Sequence, residues 1–236
     1  MNGFIGIVAV VALLFVAGTA LALVTRVAWR WLGIAGALVL INDALLTRCY
    51  GLVPDLFPTL QWNWQGKLLA LAATLAIAAL PAFGWCASGI TLRQRSGSVL
   101  PCALVALAYA ALFVGLALAF QSDPATPEAL AFQLTMPGLE EEAFYRGLLL
   151  LVLDRAFPAR LRWLGVDWGW SAILTSALFG LAHAVGYGKA GFSFEPMIFA
   201  LTAGPSLIAV WLRLRSGSIA WPVAIHNFGN AIGYLV

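Results

Sequence analysis

Charged residues are scarce in this chain of 236 residues: they make up 10% of the sequence, against 62% hydrophobic residues. A typical soluble domain carries about 25% charged residues, so water cannot solvate a surface of this composition. A soluble enzyme, a nucleic-acid-binding protein and a disordered chain are therefore excluded, and the composition predicts a membrane protein. The net charge of +3 does not indicate a nucleic-acid partner, because Lys and Arg spread over short loops are what membrane orientation requires.

Cysteine is also rare. Cys49, Cys86 and Cys102 are far apart and form no Cys-x-x-Cys pair, which argues against a disulfide framework or a thiolate metal site. No positive charge precedes the first apolar run, at residues 3–24, and this run is longer than the core of a signal peptide. We therefore interpret it as the first membrane span.

Long apolar runs predict an all-α, polytopic membrane protein that forms a single membrane domain over residues 1–236, because about 20 apolar residues cross a bilayer as a helix. The fifth run is interrupted by Pro137, and its working part is expected to begin there, since proline is tolerated in the first turn of a helix. The eight predicted spans are approximately 3–24, 29–48, 66–86, 99–120, 129–153, 169–187, 195–212 and 218–236.

The basic residues are distributed on one side of these spans. Nine of the thirteen Lys and Arg follow spans one, three, five and seven, so the positive-inside rule predicts that those loops are cytoplasmic and both termini lie outside. Eleven Arg against two Lys, with abundant Ala and Trp, indicate a GC-rich bacterial genome, so the expected location is a bacterial inner membrane. Two loops, Leu92–Ser98 and Leu212–Ser218, share an Arg-x-Arg-Ser-Gly-Ser pattern, which we interpret as two similar loops rather than duplicated halves.

Ionisable side chains inside spans cost about 2.5–3.5 kcal/mol each at a helix centre and mark candidate functional sites. The fifth span contains Glu140, Glu141 and Glu142, followed by Arg146. Glu142 and Arg146 are four residues apart, so an ion pair along one helix face is expected. Glu141 points about 100° away, lacks that neighbour and suits proton transfer, whereas Glu140 is expected to touch only water or headgroups. An acidic turn at the membrane interface is the alternative interpretation.

The two histidines of the chain lie in later spans. Phe179 precedes His183 by one helical turn, and His226 precedes Asn230 by one turn, so each pair shares a helix face. A lone histidine on an apolar helix is usually a packing residue, but two histidines, an asparagine and a triple glutamate together favour catalysis. Histidine can hold or move a proton, and His with Asn can donate hydrogen bonds to a developing oxyanion.

Three motifs on successive spans carry a family resemblance. Glu-Glu-x-x-x-Arg, Phe-x-x-x-His and His-x-x-x-Asn, in this order between residues 137 and 230, resemble the CPBP family of intramembrane proteases. This family includes the type II CAAX prenyl endopeptidases and bacterial relatives linked to bacteriocin processing and immunity. Arg146 fixes the register, so that Glu141 is the first glutamate of the motif and Glu142 the second.

The resemblance implies an intramembrane endopeptidase with a catalytic cavity inside the bilayer. It implies that Glu141 and His183 activate a water for attack on a peptide carbonyl, and that His226 and Asn230 stabilise the oxyanion. The expected supporting residues are Glu142, Arg146 and Phe179. The expected substrate is a membrane-associated protein or peptide, such as a C-terminal tail or sorting signal, and nucleic acid is not expected.

Alternatives remain open for the cofactor and the function. The expected mechanism is a metal-free glutamic one, because His-Glu-x-x-His is missing; zinc held by Glu141, His183 and His226 is the alternative. A non-catalytic membrane immunity or scaffold protein of the same family is the first alternative function. A proton-coupled transporter is the second.

Overall fold

The computed structural model describes residues 2–120 and 125–236, and the architecture of these residues is nearly all-α. The α-helices are α1 (Asn2–Leu21), α2 (Trp29–Thr47), α3 (Trp64–Ala79), α4 (Trp85–Ser88), α5 (Val99–Ala119), α6 (Pro127–Gln133), α7 (Met136–Glu142), α8 (Leu150–Ala156), α9 (Trp170–Ala184), α10 (Pro196–Ser216) and α11 (Ala220–Ala231). Two 3₁₀ helices cover Cys49–Leu52 and Ile232–Tyr234, and a π-helix covers Ala143–Leu149. The architecture is that of a polytopic membrane protein, as the composition predicted.

Among the residues that the structure describes, four helices are long and apolar enough to cross a membrane: Gly3–Leu21, Trp29–Thr47, Val99–Ala119 and Pro196–Ser216. The other four predicted spans contain shorter or interrupted helices. In the third, α3 ends at Ala79 rather than continuing to residue 86, because the residue before Pro81 is extended, with ψ 142° at Leu80. In the fifth, the helix breaks at Leu134 and Thr135, and α7 begins with Pro137 in its first turn.

Two short β-hairpins join helices and were not predicted from hydropathy. The strand β1 (Arg160–Trp163) pairs with β2 (Val166–Gly169), and β3 (Val185–Gly188) pairs with β4 (Gly191–Phe194), both antiparallel. The second hairpin ends α9 at Ala184, so the sixth predicted span is shorter than expected. In the first hairpin Leu164 and Gly165 both have positive φ, 50° and 75°, the conformation that tight two-residue hairpin turns require.

The largest apolar core surrounds the π-helix and α8. Phe144, Leu148, Leu149, Leu153 and Phe157 are all buried there and pack with side chains from α1, α2 and α9. Fixed packing of this kind leaves little freedom to the backbone. The segment that follows the three glutamates is therefore held rigidly from several sides.

The two segments with the repeated pattern are Leu92–Ser98 and Leu212–Ser218, and the second comprises the end of α10 and the two residues after it. They bond to each other, and we refer to their contact, together with the bond from Arg213 to Ala87, as the loop junction. The Arg95 amide donates to the Ser216 carbonyl at 2.7 Å, and Arg95 Nη1 donates to the Leu214 carbonyl at 2.7 Å. Arg213 Nη2 donates to the Ala87 carbonyl at 2.9 Å. The repeated pattern therefore marks two segments that meet in space and join the α4–α5 connection to the α10–α11 connection.

Candidate active site

The glutamates are positioned by a contact between α7 and α11. Asn227 of α11 accepts a hydrogen bond from the Gly138 amide at 2.7 Å and donates one to the Thr135 carbonyl at 3.2 Å. The first amides of a helix have no partner within the helix, so Asn227 satisfies one of them from a neighbouring helix. This contact fixes the start of α7 next to His226. Asn227 was not among the residues predicted for the site, although an amide side chain beside His226 in an apolar span could have indicated it.

The expected ion pair between Glu142 and Arg146 is confirmed. Arg146 Nη1 lies 3.1 Å from Glu142 Oε1, and both side chains are almost completely buried. His226 Nδ1 lies 2.6 Å from the same carboxylate oxygen. Glu142 therefore forms an ion pair with the arginine of the following π-helix and contacts the histidine of α11.

Glu141 has a partner that the sequence did not indicate. Lys67 Nζ of α3 lies 2.6 Å from Glu141 Oε1 and 2.7 Å from Glu140 Oε2. The interpretation of Glu141 as unpaired was therefore wrong. The expectation that Glu140 touches only water or headgroups was also wrong, because its side chain is completely buried against Lys67. The reason is a tertiary contact across more than 70 residues, which no local spacing reveals.

Acidic and basic side chains alternate through the site. Glu141 Oε2 lies 3.6 Å from His226 Nε2. This contact connects Lys67 and its two glutamates to His226, Glu142 and Arg146. Ions that are taken out of water need such partners, because an unpaired buried charge is costly. The neighbouring groups, each 2.6–3.6 Å from the next, are in order Glu140, Lys67, Glu141, His226, Glu142 and Arg146.

Phe179 lies between the two histidines and the arginine. Its ring centroid is 4.6 Å from that of His183 and 6.0 Å from that of His226, and the Arg146 guanidinium lies 4.3 Å from the ring centre. The Phe179 carbonyl is 2.8 Å from His183 Nδ1. This contact defines the orientation of the His183 imidazole and leaves Nε2 as the nitrogen available for chemistry.

The π-helix begins directly after Glu142. Thr175 of α9 donates a hydrogen bond to the Tyr145 carbonyl at 3.0 Å within this segment, so a neighbouring helix satisfies part of its irregular backbone. π-helical turns often occur at functional sites. Here the wider turn follows the glutamates and holds Arg146 within reach of both Glu142 and Phe179.

One cavity of about 440 Å³ brings the predicted residues together. Glu141, His183, His226 and Asn230 all line it, and so do the supporting residues Glu142, Arg146 and Phe179. Asn230 and His183 are exposed, whereas Glu142 and Arg146 form the buried floor. The opposite wall comes from α5 and α10 and includes Tyr109, Phe113, Leu201, Pro205 and Ser206. The arrangement offers a carboxylate, two imidazoles and an amide to a molecule inside the cavity.

Two observations bear on the alternative of zinc held by Glu141, His183 and His226. Within residues 2–120 and 125–236 no group of three or more His, Cys, Asp and Glu side chains is arranged to hold a metal ion. Lys67 bonds the Glu141 carboxylate, and its ammonium would repel a second cation at that carboxylate.

The fold and the cavity define a class: a nearly all-α membrane protein with carboxylates and histidines around an internal cavity. The family model for the Rce1-like proteins, described as type II CAAX prenyl endopeptidase Rce1-like, matches residues 124–232. The chain therefore carries an Rce1-like domain of the CAAX protease family, which confirms the resemblance found in the three motifs. No curated protein and no solved structure matches the chain.

Proposed function

We propose that this protein is an intramembrane endopeptidase that hydrolyses a peptide bond of a membrane-associated protein or peptide. The observation that carries the proposal is the single cavity lined by Glu141, His183, His226 and Asn230. The Rce1-like domain supports the same class of reaction. The proposed substrate is a C-terminal tail or sorting segment held at the membrane.

In the proposed reaction Glu141 is the general base, with His183 orienting the water. Glu141 Oε2 takes a proton from the water, because Oε1 is occupied by Lys67. The resulting hydroxide attacks the peptide carbonyl carbon. Glu141 then returns the proton to the leaving nitrogen as the C–N bond breaks, which yields a carboxylic acid and an amine.

His226 and Asn230 are proposed to stabilise the oxyanion by donating hydrogen bonds to it. Donation from His226 Nε2 requires a proton on both ring nitrogens, since Nδ1 already faces Glu142 Oε1 at 2.6 Å. The carboxylates of Glu141 and Glu142 lie on either side of the ring, 3.6 and 2.6 Å from its nitrogens. Donors of this kind act strongly in a cavity from which most water is excluded.

The experiment compares membrane-protein termini by mass spectrometry between cells that carry the intact chain and cells that carry Glu141→Gln. We expect at least one terminus that appears only with the intact chain, because loss of the general base slows hydrolysis on the order of 10²–10⁴-fold. Glu195→Gln, at an exposed glutamate outside the cavity, is the matched control and should leave that terminus in place.

Three outcomes separate the alternatives. Biological activity that persists in Glu141→Gln would favour the non-catalytic immunity or scaffold protein. Proton-coupled flux in proteoliposomes without peptide cleavage would favour the transporter. Cleavage that is lost with a chelator and restored by zinc would favour the metal-dependent mechanism over the metal-free one that we propose.

A further inference from the structure

Lys67 is a buried cation in the wall of the cavity, and it lies outside the matched segment 124–232. Its side chain is 12% exposed, and its ammonium contacts Glu140 and Glu141 at 2.7 and 2.6 Å. It comes from α3, which packs against α7. The acidic end of the matched domain is therefore completed by a residue from the preceding helices.

Two carboxylates share this one ammonium. Glu140 is completely buried, so it needs a counterion whatever the protein does. Neutralising Glu140 would by itself account for a lysine at this point. The contact with Glu141 is a separate feature, because it restrains a side chain that lines the cavity.

The two oxygens of Glu141 have different surroundings. Oε1 is bonded to Lys67, whereas Oε2 lies 3.6 Å from His226 Nε2. At 3.6 Å this second contact is longer than a hydrogen bond, so Oε2 is the oxygen with capacity for a further partner. A carboxylate held at one oxygen cannot rotate freely about its last torsion angle, and the second oxygen keeps a fixed direction.

We propose that Lys67 is a positioning residue that holds Glu141 with Oε2 directed at the water to be activated. This inference rests on the proposed hydrolysis. Lys67 acts through Glu141 and does not contact the reacting bond, so its loss reduces kcat and leaves KM nearly unchanged. A displacement of about 1 Å at a reacting group costs on the order of 10²-fold in rate, and this is the size of effect we expect.

Four variants separate positioning from simple charge compensation: Lys67→Met, Lys67→Arg, Glu140→Gln and the double variant Lys67→Met/Glu140→Gln. Lys67→Met alone leaves the completely buried Glu140 without a cation and takes the lysine away from Glu141, so it is expected to lower the unfolding midpoint. The double variant removes one charge of each sign and restores the balance around Glu141. Lys189→Met is the control, because Lys189 is the other lysine of the chain and is exposed in the turn between β3 and β4.

Each purified full-length variant is assayed in proteoliposomes with a quenched fluorescent peptide that ends in a farnesylated CAAX sequence. If the intact chain does not cleave this probe, a peptide copied from the terminus found by mass spectrometry replaces it. We expect the double variant to unfold like the intact protein, with kcat lower on the order of 10²-fold and KM within about twofold. Lys67→Arg, which keeps a cation at the carboxylate, should recover part of kcat.

Two results would overturn the inference in different ways. A double variant that has the kcat of the intact chain would show that Lys67 only neutralises Glu140, while the proposed hydrolysis would stand. An intact chain that cleaves neither probe would overturn the proposed function, and the role of Lys67 in it would fall as well.

Discussion

Arg146 is a full charge with almost no access to solvent, and its surroundings explain how the fold tolerates it. The guanidinium pairs with Glu142 on one side and lies over the Phe179 ring on the other. An arginine interacts well with a ring face because of the quadrupole of the ring. The same residue therefore holds Glu142, and through Glu142 it orients the His226 imidazole.

Loss of one member of this ion pair should be costly. Arg146→Met leaves Glu142 buried beside His226 alone, and removal of one partner from a buried ion pair typically costs about 3–5 kcal/mol. We expect a clearly lower unfolding midpoint in detergent for Arg146→Met, and partial recovery in Glu142→Gln/Arg146→Met, where no unpaired carboxylate is left.

The matched control for this pair is Arg162→Met. Arg162 pairs with Asp167 at 3.0 Å, but both side chains are more than 60% exposed, and exposed pairs contribute little. Equal losses in Arg146→Met and Arg162→Met would mean that burial of the Glu142 pair is not what stabilises the site.

At the scale of single residues, the sequence predicted the contacts between residues four positions apart on one helix. Glu142 with Arg146 and Phe179 with His183 are pairs four residues apart, so their proximity follows from the geometry of a helix. Lys67 and Asn227 were missed because their contacts join residues more than 70 positions apart. Nothing in local periodicity encodes such a contact.

At the scale of secondary-structure elements, α7 and α11 approach closely, and this approach brings Glu142 next to His226. Gly138 lies at this crossing, and a Cβ there would meet the Asn227 side chain at 2.4 Å and the Val223 carbonyl at 2.9 Å. Glycine at this position lets the two backbones approach, as small residues do between membrane helices. The distance between the two helices therefore depends on glycine, which has no side chain, at position 138.

Gly138→Ala should separate these two helices. The added methyl group has no space against the backbone of α11, and overpacking of this kind typically costs about 1–3 kcal/mol. We expect a lower unfolding midpoint in detergent and reduced cleavage, because His226 moves away from Glu142.

Gly115→Ala is the control for this crossing. Gly115 lies in α5, and a Cβ there would meet nothing within 4 Å. Alanine is the better helix former, so this variant should unfold at the same temperature or slightly higher. A Gly138→Ala protein that behaves in the same way would contradict the account of a close crossing.

The order and location of the helices followed from hydropathy, but their ends did not. Pro81 ends a helix inside an apolar run that a hydropathy scan treats as continuous, because proline restricts the residue before it. The interruption at Pro137 was the one that the sequence indicated. The short hairpin at Val185–Phe194 was missed for a different reason: its glycines and Lys189 indicate a connection between two spans, but they do not show that its two sides pair as strands.

At the scale of the whole molecule the N-terminal helices and the matched domain form one site. The matched segment 124–232 contains the four residues proposed for catalysis, but Lys67 comes from α3 and the aromatic wall at Tyr109 and Phe113 comes from α5. A fragment limited to the matched segment would lack both. The cavity is therefore a property of the full chain.

The native cysteines provide a test of the predicted orientation. Cys49 follows α2 and is half-buried, Cys86 lies in α4 and is exposed, and Cys102 is buried. If both termini are outside, a membrane-impermeant maleimide added to spheroplasts should label Cys49 and spare Cys86. Inverted vesicles should give the opposite result.

The single variants Cys49→Ala and Cys86→Ala assign each labelled band in that experiment. Labelling of Cys86 from the outside of intact spheroplasts would place both termini in the cytoplasm. It would contradict the orientation drawn from the basic residues.

The loop junction suggests how other sequences that form the same junction could be found. Its acceptors at Ala87, Leu214 and Ser216 are main-chain oxygens, and every amino acid supplies the same group there. Arg95 and Arg213 have no such substitute, and Gly89 is also fixed, because its φ is 69° and a Cβ would overlap the Arg213 guanidinium. A search pattern for this junction should therefore specify the two arginines and the glycine and leave the acceptor positions free.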